Sequence, residues 1–125
     1  MIGKFSTLGF GVSSILLLII DAGIKTSLAE EIFFRGFITK RLIAVTSFQT
    51  GNILQAIIFG AVHTLLFTMI TSNPLILFVI FLFPAIGAYF KGYLNEKVAN
   101  GSIIPGWIAH GLGNIIAYMG GYFLF

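Results

Sequence analysis

The chain has no cysteine and few charged residues, and both features limit the class of protein to which it can belong. Without cysteine, its 125 residues can form neither a disulfide nor a thiolate nucleophile. Only 9% of the residues are charged, whereas an ordinary soluble domain carries about 25%. With 58% hydrophobic residues and a mean hydropathy of +1.04, the chain cannot cover a surface that faces water. We therefore expect one domain over residues 1–125, an all-α, polytopic transmembrane helix bundle.

Long apolar segments predict about five spans, because a helix needs about 20 apolar residues to cross a bilayer. The predicted spans cover residues 5–23, 27–45, 52–70, 74–90 and 102–124. The turn signals IKTS, TSFQTGN, TSNP and KGYLNEKVANGS separate them. We interpret the first span as retained rather than as a secretory signal, because its apolar segment is long and its cleavage-like residues are poor.

Lysine and arginine lie mostly on one side of these predicted spans. One side collects Lys4, Lys40, Arg41, Lys91 and Lys97, and the other collects only Lys25. Because cytoplasmic loops are rich in lysine and arginine, we predict a cytoplasmic N-terminus and an external C-terminus. The net charge of +3 is interpreted in the same way rather than as a nucleic-acid surface. This orientation places the second span's acids nearer the outer side.

Small residues at every fourth position predict where helices touch, since such rows let helices approach closely in lipid. The rows are Ala56, Gly60 and Thr64 in the third span, and Ala109, Gly113, Ala117 and Gly121 in the fifth. We expect both spans to pack against protein on these faces.

Three charges lie together in LAEEIFFRGF, inside the second predicted span. Ionisable groups within a span are costly and are candidate functional residues. Glu31 and Arg35 are four residues apart and can pair on one helix face. Glu30 is turned about 100° away from Glu31 and remains a spare carboxylate that suits a general base. A structural alternative is a capping box, which Ser27 and Glu30 have the spacing to form.

Two histidines and an asparagine lie in other spans. His63 follows Phe59 by one turn in FGAVH, and His110 and Asn114 share a face in HGLGN. A glutamate with a histidine can deprotonate a water molecule, and a second histidine with an asparagine can donate to an oxyanion. This set suits hydrolysis of a peptide bond. The structural alternative for His63 is a buried core histidine, and for His110 with Asn114 it is a hydrogen bond between helices.

Zinc is the alternative cofactor, since two histidines and one glutamate form a known ligand set for catalytic zinc. The helical HExxH arrangement is absent from the sequence. Spacing therefore gives no direct support for a metal, and we expect chemistry without a cofactor.

The three motifs resemble those of the CAAX protease and bacteriocin-processing family, the intramembrane glutamic endopeptidases also called the Abi family. EEIFFRG resembles the EExxxR motif, FGAVH is similar to FxxxH, and HGLGN is similar to HxxxN. They occur in the family's order and span Glu30 to Asn114, which is most of the chain. The family usually carries additional spans before these motifs, whereas here one predicted span precedes them.

The resemblance implies a membrane-embedded site that opens to an aqueous cavity. According to this resemblance, Glu30 activates water with the help of His63. His110 and Asn114 stabilise the oxyanion. The mechanism implied is glutamate-dependent and metal-free, although the family was first described as metalloproteases.

The resemblance also implies that Glu31 and Arg35 form a supporting ion pair. Eukaryotic members remove the last three residues of prenylated CAAX proteins, and bacterial relatives are linked to bacteriocin maturation and self-immunity. We therefore expect an integral protein of a prokaryotic plasma membrane. Its partners are membrane lipid and a peptide or lipidated peptide, with no nucleic acid.

Two other classes of protein fit parts of the sequence. A non-catalytic membrane protein of the same fold, such as a bacteriocin immunity factor or scaffold, would retain the helices. A proton path or transporter would also use intramembrane glutamate, arginine and histidine. The chain shows no inverted repeat, which disfavours the transporter.

Overall fold

The computed structural model describes the backbone of residues 11–124, and their side chains apart from residues 18, 22, 23 and 118–124. This range forms four helices: α1, Val12–Val45; α2, Phe48–Phe67; α3, Pro74–Val98; and α4, Ile104–Leu124. Helices α1, α2 and α3 are long and apolar enough to cross a membrane. The all-α class is confirmed, but five spans are not shown. Residues 5–10 of the first predicted span lie outside the described residues.

Helix α1 is continuous, so the predicted break between the first two spans is wrong. It has 34 residues, or about 51 Å at the usual rise per residue. Thr26, within the supposed turn, has helical angles of φ −70° and ψ −51°. Lys25 is compatible with this path because it pairs with Asp21 four residues earlier, at 3.7 Å. Ser27 is therefore a buried residue within the helix, and the capping-box interpretation of Glu30 is wrong.

Two parts of α1 are wound more widely than a regular α-helix. Ile19–Thr26 and Ile32–Ile38 are π-helical. In the second part, the Thr39 hydroxyl donates to the Phe34 carbonyl oxygen, five residues earlier, at 2.7 Å. Such segments are rare and often occur at functional sites. This one lies directly after Glu31 in the LAEEIFFRGF sequence.

Side-chain caps fix the starts of α2 and α3. The Ser47 hydroxyl accepts a hydrogen bond from the Thr50 amide at 3.2 Å. Before α3, the Asn73 side chain accepts from the Leu75 amide at 2.9 Å, and Pro74 occupies the first helical position, which tolerates proline.

Helix α3 continues past the predicted end at residue 90 and reaches Val98. Lys91 and Asn95 are therefore helical rather than part of a loop. The turn to α4 follows, with positive φ angles at Asn100 (53°) and Gly101 (92°). The Asn95 side chain accepts from the Gly106 amide at 2.8 Å and so joins the end of α3 to the start of α4.

Close packing of α2 on α3 confirms the predicted contact at two of the three small residues in the third predicted span. Ala56 and Gly60 are buried, and a methyl group on Gly60 would lie 2.6 Å from the Phe81 carbonyl oxygen. Beside this row, Gln55 donates to the Ala88 carbonyl oxygen at 2.8 Å.

The row of small residues on α4 behaves differently. Ala109, Gly113 and Ala117 are exposed and line a cavity, so the expected protein packing is wrong for these three. A methyl group on Gly113 would meet nothing within 4 Å. The small side chains leave open space instead of bringing a helix close. Gly121 lies outside the described side chains.

The helices pack in an order that leaves this cavity between α2, α3 and α4. Helix α1 packs against both α2 and α4, α2 packs along α3, and α3 contacts α4. The buried apolar core is Phe34, Ala56, Phe59 and Ala88. The Phe34 and Phe59 rings meet edge to face at 4.9 Å between centroids. This core lies beside the charged residues of α1.

Candidate active site

Glu31 is the centre of a buried charge cluster built from three helices. Its side chain is fully buried, and its Oε1 atom lies 2.8 Å from His110 Nδ1 on α4. The same oxygen is 3.4 Å from Arg35 Nη1 and 3.9 Å from Lys91 Nζ on α3. Since an isolated buried carboxylate is very costly, these contacts explain how α1 holds an acid inside the bundle.

Arg35 lies on the same face of α1 as Glu31, as their spacing predicts. It is fully buried, and its guanidinium carbon lies 4.3 Å from the centre of the Phe59 ring. A guanidinium over an aromatic face is attracted by the ring quadrupole. Phe59 therefore supports the ion pair from α2.

Glu30 differs from Glu31 in its access to solvent. Its side chain is 33% exposed, and its Oε2 atom lies 3.4 Å from His110 Nε2. The His110 ring thus lies between two carboxylates, with one nitrogen facing each. Because a carboxylate only accepts hydrogen bonds, the 2.8 Å contact makes His110 Nδ1 a donor to Glu31.

His63 is oriented by its own helix. Its Nδ1 donates to the Phe59 carbonyl oxygen at 2.8 Å, since a carbonyl oxygen can only accept. In the neutral ring this leaves Nε2 as the accepting nitrogen. The rings of Phe59 and His63 are 4.4 Å apart between centroids, and Phe59 also meets the His110 ring edge to face at 6.0 Å.

A cavity of about 670 Å³ brings the other motif residues together. Its polar lining comes from His63 on α2, Lys91 on α3, and His110 and Asn114 on α4. Most of the remaining lining is apolar, including Phe59. The cavity volume is in the range of small-molecule and peptide pockets.

The structure groups the predicted residues in two overlapping sets. Glu30 and Glu31 contact His110, and His110 shares the cavity with His63 and Asn114. Over the described residues, no hydrogen bond or ion pair joins Glu30 directly to His63. His110 is therefore the residue that links the carboxylates to the cavity.

The same side chains are the candidate ligands for a metal ion. Within residues 11–124 as described, no group of three or more histidine, aspartate or glutamate side chains is arranged to hold a metal ion. The prediction of metal-free chemistry remains to be tested by chelation.

Lys91 belongs to the cluster but was not predicted from the sequence. The sequence pattern predicts a loop at this position, so Lys91 contributed only to the count of positive charges that predicts membrane orientation. In the structure its side chain is 13% exposed, and Nζ lies 5.0 Å from the centre of the Phe59 ring. The signal that could have found it is the helix-compatible sequence LNEKV, which extends α3 beyond Lys91.

Comparison with known proteins supports the resemblance of the motifs. No curated protein and no solved structure shows a significant match to the chain. A family model described as Type II CAAX prenyl endopeptidase Rce1-like matches residues 12–116. The match covers all three motifs and most of the chain. With its long apolar helices, the chain is an integral membrane protein, and it belongs to the Type II CAAX prenyl endopeptidase Rce1-like family.

Proposed function

We propose that the chain is a membrane-embedded peptidase in which Glu30 activates the attacking water. Glu30 accepts a proton from the water molecule, whose oxygen attacks the carbonyl carbon of the substrate. The tetrahedral intermediate then breaks its C–N bond. The proton passes from Glu30 to the leaving amine, which leaves a carboxylic acid on one product and an amine on the other.

One contrast between two adjacent acids carries this proposal. Glu31 is fully buried and shares one oxygen among His110, Arg35 and Lys91. Glu30 is 33% exposed and 3.4 Å from His110 Nε2. The partial exposure of Glu30 favours it over the fully enclosed Glu31 as the acid that meets a water molecule and exchanges a proton.

His110 and Asn114 are the proposed donors to the oxyanion. Glu31 accepts from His110 Nδ1 at 2.8 Å, which fixes the orientation of the ring. When the ring carries both protons, Nε2 is also a donor and can stabilise developing negative charge. Asn114 lies one turn further along α4 and lines the same cavity. His63, with Nε2 as its acceptor, orients the water from the opposite wall.

A turnover assay with a matched pair of variants tests the role of Glu30. Glu30→Gln is expected to lower kcat by about 100-fold or more, the usual contribution of a general base. The control is Glu96→Gln, because Glu96 pairs with Lys40 at 2.7 Å outside this cluster. Both variants are checked for folding by circular dichroism in detergent.

The control variant is expected to retain the activity of the wild type. Equal cleavage by wild type and Glu30→Gln would sink the proposed mechanism. Absence of cleavage by folded wild type, together with protection of cells that survives Glu30→Ala, would favour a non-catalytic immunity protein.

The proposed substrate class is an apolar peptide, with or without a prenyl group. The family description names prenyl endopeptidases, and the apolar cavity lining is compatible with lipid-modified peptides. Comparing a farnesylated peptide with its unmodified form in the same assay distinguishes the two. A prenyl requirement is shown by a large rise in KM for the unmodified peptide.

A further inference from the structure

Asn95 on α3 caps the start of α4 from a neighbouring helix. Its side chain is buried, with 1% exposed, and its Oδ1 atom accepts from the Gly106 amide at 2.8 Å. The first four amides of a helix have no acceptor within that helix, and Gly106 is the third residue of α4. A capping side chain usually belongs to the residue just before the helix. Here the acceptor belongs to another helix, so the bond also fixes where α4 lies against α3.

The amide group of Asn95 is closely packed and is retained at a cost. A methyl group on Gly106 would lie 2.7 Å from both Asn95 Oδ1 and Nδ2, so the two residues are in close contact. Among the described residues, Asn95 Nδ2 is buried and has no hydrogen-bond partner, which costs free energy that an apolar side chain would avoid. The bond to Gly106 is therefore the contribution of this side chain that an apolar residue cannot replace.

Packing constrains the rotation of α4 only weakly on its cavity side. Ala109, Gly113 and Ala117 line the cavity of about 670 Å³, and a methyl group on Gly113 would meet nothing within 4 Å. Side chains beside open space have no partner atoms there, so they do not resist a rotation of the helix about its axis. Directed polar contacts therefore have to set the rotation of α4.

The rotation of α4 decides the position of His110. This residue lies four positions after Gly106, so the two share one face of α4, about 6 Å apart along its axis. A rotation that moved Gly106 away from Asn95 would also move the His110 ring. That ring lies 2.8 Å from Glu31 and 3.4 Å from Glu30, and both contacts depend on the position of α4 relative to α1.

We propose that Asn95 is a positioning residue for the candidate active site. By capping α4 from α3, it fixes the rotation of α4 and holds His110 between the carboxylates of Glu30 and Glu31. The proposal rests on the peptidase function proposed above, in which His110 donates to the oxyanion. Since the oxyanion develops only during the reaction, a misplaced His110 should lower kcat and leave KM nearly unchanged.

The first test observes His110 directly by NMR and needs no turnover. The chain has only two histidines, so isotope-labelled histidine gives two sets of ring signals, assigned by their loss in His63→Gln and His110→Gln. His63 is held within its own helix by the Phe59 carbonyl oxygen and serves as the internal control. Asn95→Ala should shift or broaden the Nδ1 proton signal of His110 and leave that of His63 unchanged.

Two further variants separate positioning from general stability. Asn52 is as buried as Asn95 and donates to the Tyr89 carbonyl oxygen at 3.1 Å, but it joins α2 to α3 rather than α3 to α4. Asn52→Ala is therefore the matched control, which loses a buried hydrogen bond and should leave the His110 signal unchanged. Asn95→Asp should retain the wild-type signal, because it keeps an acceptor at the N-terminus of α4, where negative charge is favoured.

The second test measures turnover of the same variants. Asn95→Ala should lower kcat by about tenfold or more and keep KM within about threefold of wild type, since a misplacement of about 1 Å can cost about 100-fold in rate. Asn95→Asp should recover most of this loss. Asn52→Ala should keep the kcat of wild type.

An unchanged His110 signal in folded Asn95→Ala overturns the proposal, as does an equal change in Asn52→Ala. Displacement of His110 with an unchanged kcat also overturns it. If Asn95→Ala fails to fold, Gly106→Ala decides the question: its methyl group would displace the same amide, so its His110 signal must change for the proposal to stand. If wild type cleaves no peptide, the peptidase function fails, whereas the His110 signal still tests the positioning.

Discussion

Replacing Arg35 with methionine is expected to lower the free energy of unfolding by about 3–5 kcal/mol, the cost of breaking a buried ion pair from one side. The Arg35 guanidinium is fully buried, 3.4 Å from Glu31 and 4.3 Å from the Phe59 ring centre. Methionine fills much of the same volume but carries no charge. Glu31 then keeps only His110 at 2.8 Å and Lys91 at 3.9 Å.

The double variant Arg35→Met with Glu31→Gln separates the lost charge from the lost volume. Glutamine can still accept from His110 Nδ1 through its amide oxygen, and it leaves no unpaired charge. Neutralising both partners of a buried pair costs much less than removing one. We therefore expect the double variant to be more stable than Arg35→Met by at least about 1 kcal/mol, a coupling of the size found for residues in contact.

The assay is reversible unfolding of purified protein in mixed detergent micelles, followed by helical circular dichroism. Arg41→Met is the matched control, since Arg41 lies on the same helix with its guanidinium 5.4 Å from the Phe37 ring centre but is exposed. Its variant should stay within about 0.5 kcal/mol of wild type. Equal stability of the Arg35 and Arg41 variants would refute the reasoning, because the buried pair would then carry no charge-dependent stability.

Three further predictions concern packing and cofactor use. Gly60→Ala should destabilise the protein by about 1–3 kcal/mol because its methyl group would lie 2.6 Å from the Phe81 carbonyl oxygen. The control Gly87→Ala should leave stability unchanged, because its methyl group would meet nothing within 4 Å. Equal unfolding midpoints for the two variants would contradict this prediction. Gln55→Leu should cost about 1–3 kcal/mol by removing the 2.8 Å hydrogen bonds to the Ala88 carbonyl oxygen and to Asn52 Oδ1. Unchanged stability in the same unfolding assay would show that these two bonds together contribute nothing. Treatment with 1,10-phenanthroline should leave peptide cleavage unchanged, and loss of activity that zinc restores would establish a metalloenzyme.

Spacing and motif order were sufficient to predict the parts of the site that lie on one helix. Glu31 and Arg35 meet because residues four apart share a helix face, whatever the rest of the fold does. The start of α3 was also predictable from the local sequence, since Asn73 caps the helix and Pro74 occupies its first position. Contacts between helices, such as Glu31 with His110 across 79 positions, depend on packing that a single sequence does not encode locally.

The errors in the helix boundaries share one physical cause, which is the use of turn signals from water-soluble proteins. In lipid, an interrupted helix leaves backbone groups without partners at a cost of several kcal/mol each. Polar residues such as Lys25 and Thr26 are therefore carried within α1 instead of ending it. The same error placed Gly92 in a loop, although it is a helical residue packed against the Asn52 side chain. Lys91 was missed for this reason.

The continuous α1 also changes the argument about membrane orientation. Lys40 donates to Glu96 at 2.7 Å and to the Gly101 carbonyl oxygen at 2.8 Å, so the end of α1 lies beside the turn between α3 and α4. This end of the bundle carries Lys40, Arg41 and Lys97, while the turn between α2 and α3, residues 68–73, carries no charged residue. By the positive-inside rule, we expect the end with Lys40 to face the cytoplasm.

This orientation can be tested directly because the chain has no cysteine of its own. Cysteine at Ser72, in the turn between α2 and α3, should react with a membrane-impermeant maleimide in intact cells. Cysteine at Gln49, at the opposite end of α2, should react only after permeabilisation. Since Lys91 lies about 10 Å from the end of α3 at Val98, this result would place the Lys91 side of the charge cluster nearer the cytoplasm. The reverse labelling pattern would contradict this orientation and also the one predicted from five spans, which likewise puts Lys40, Arg41 and Lys97 on the cytoplasmic side.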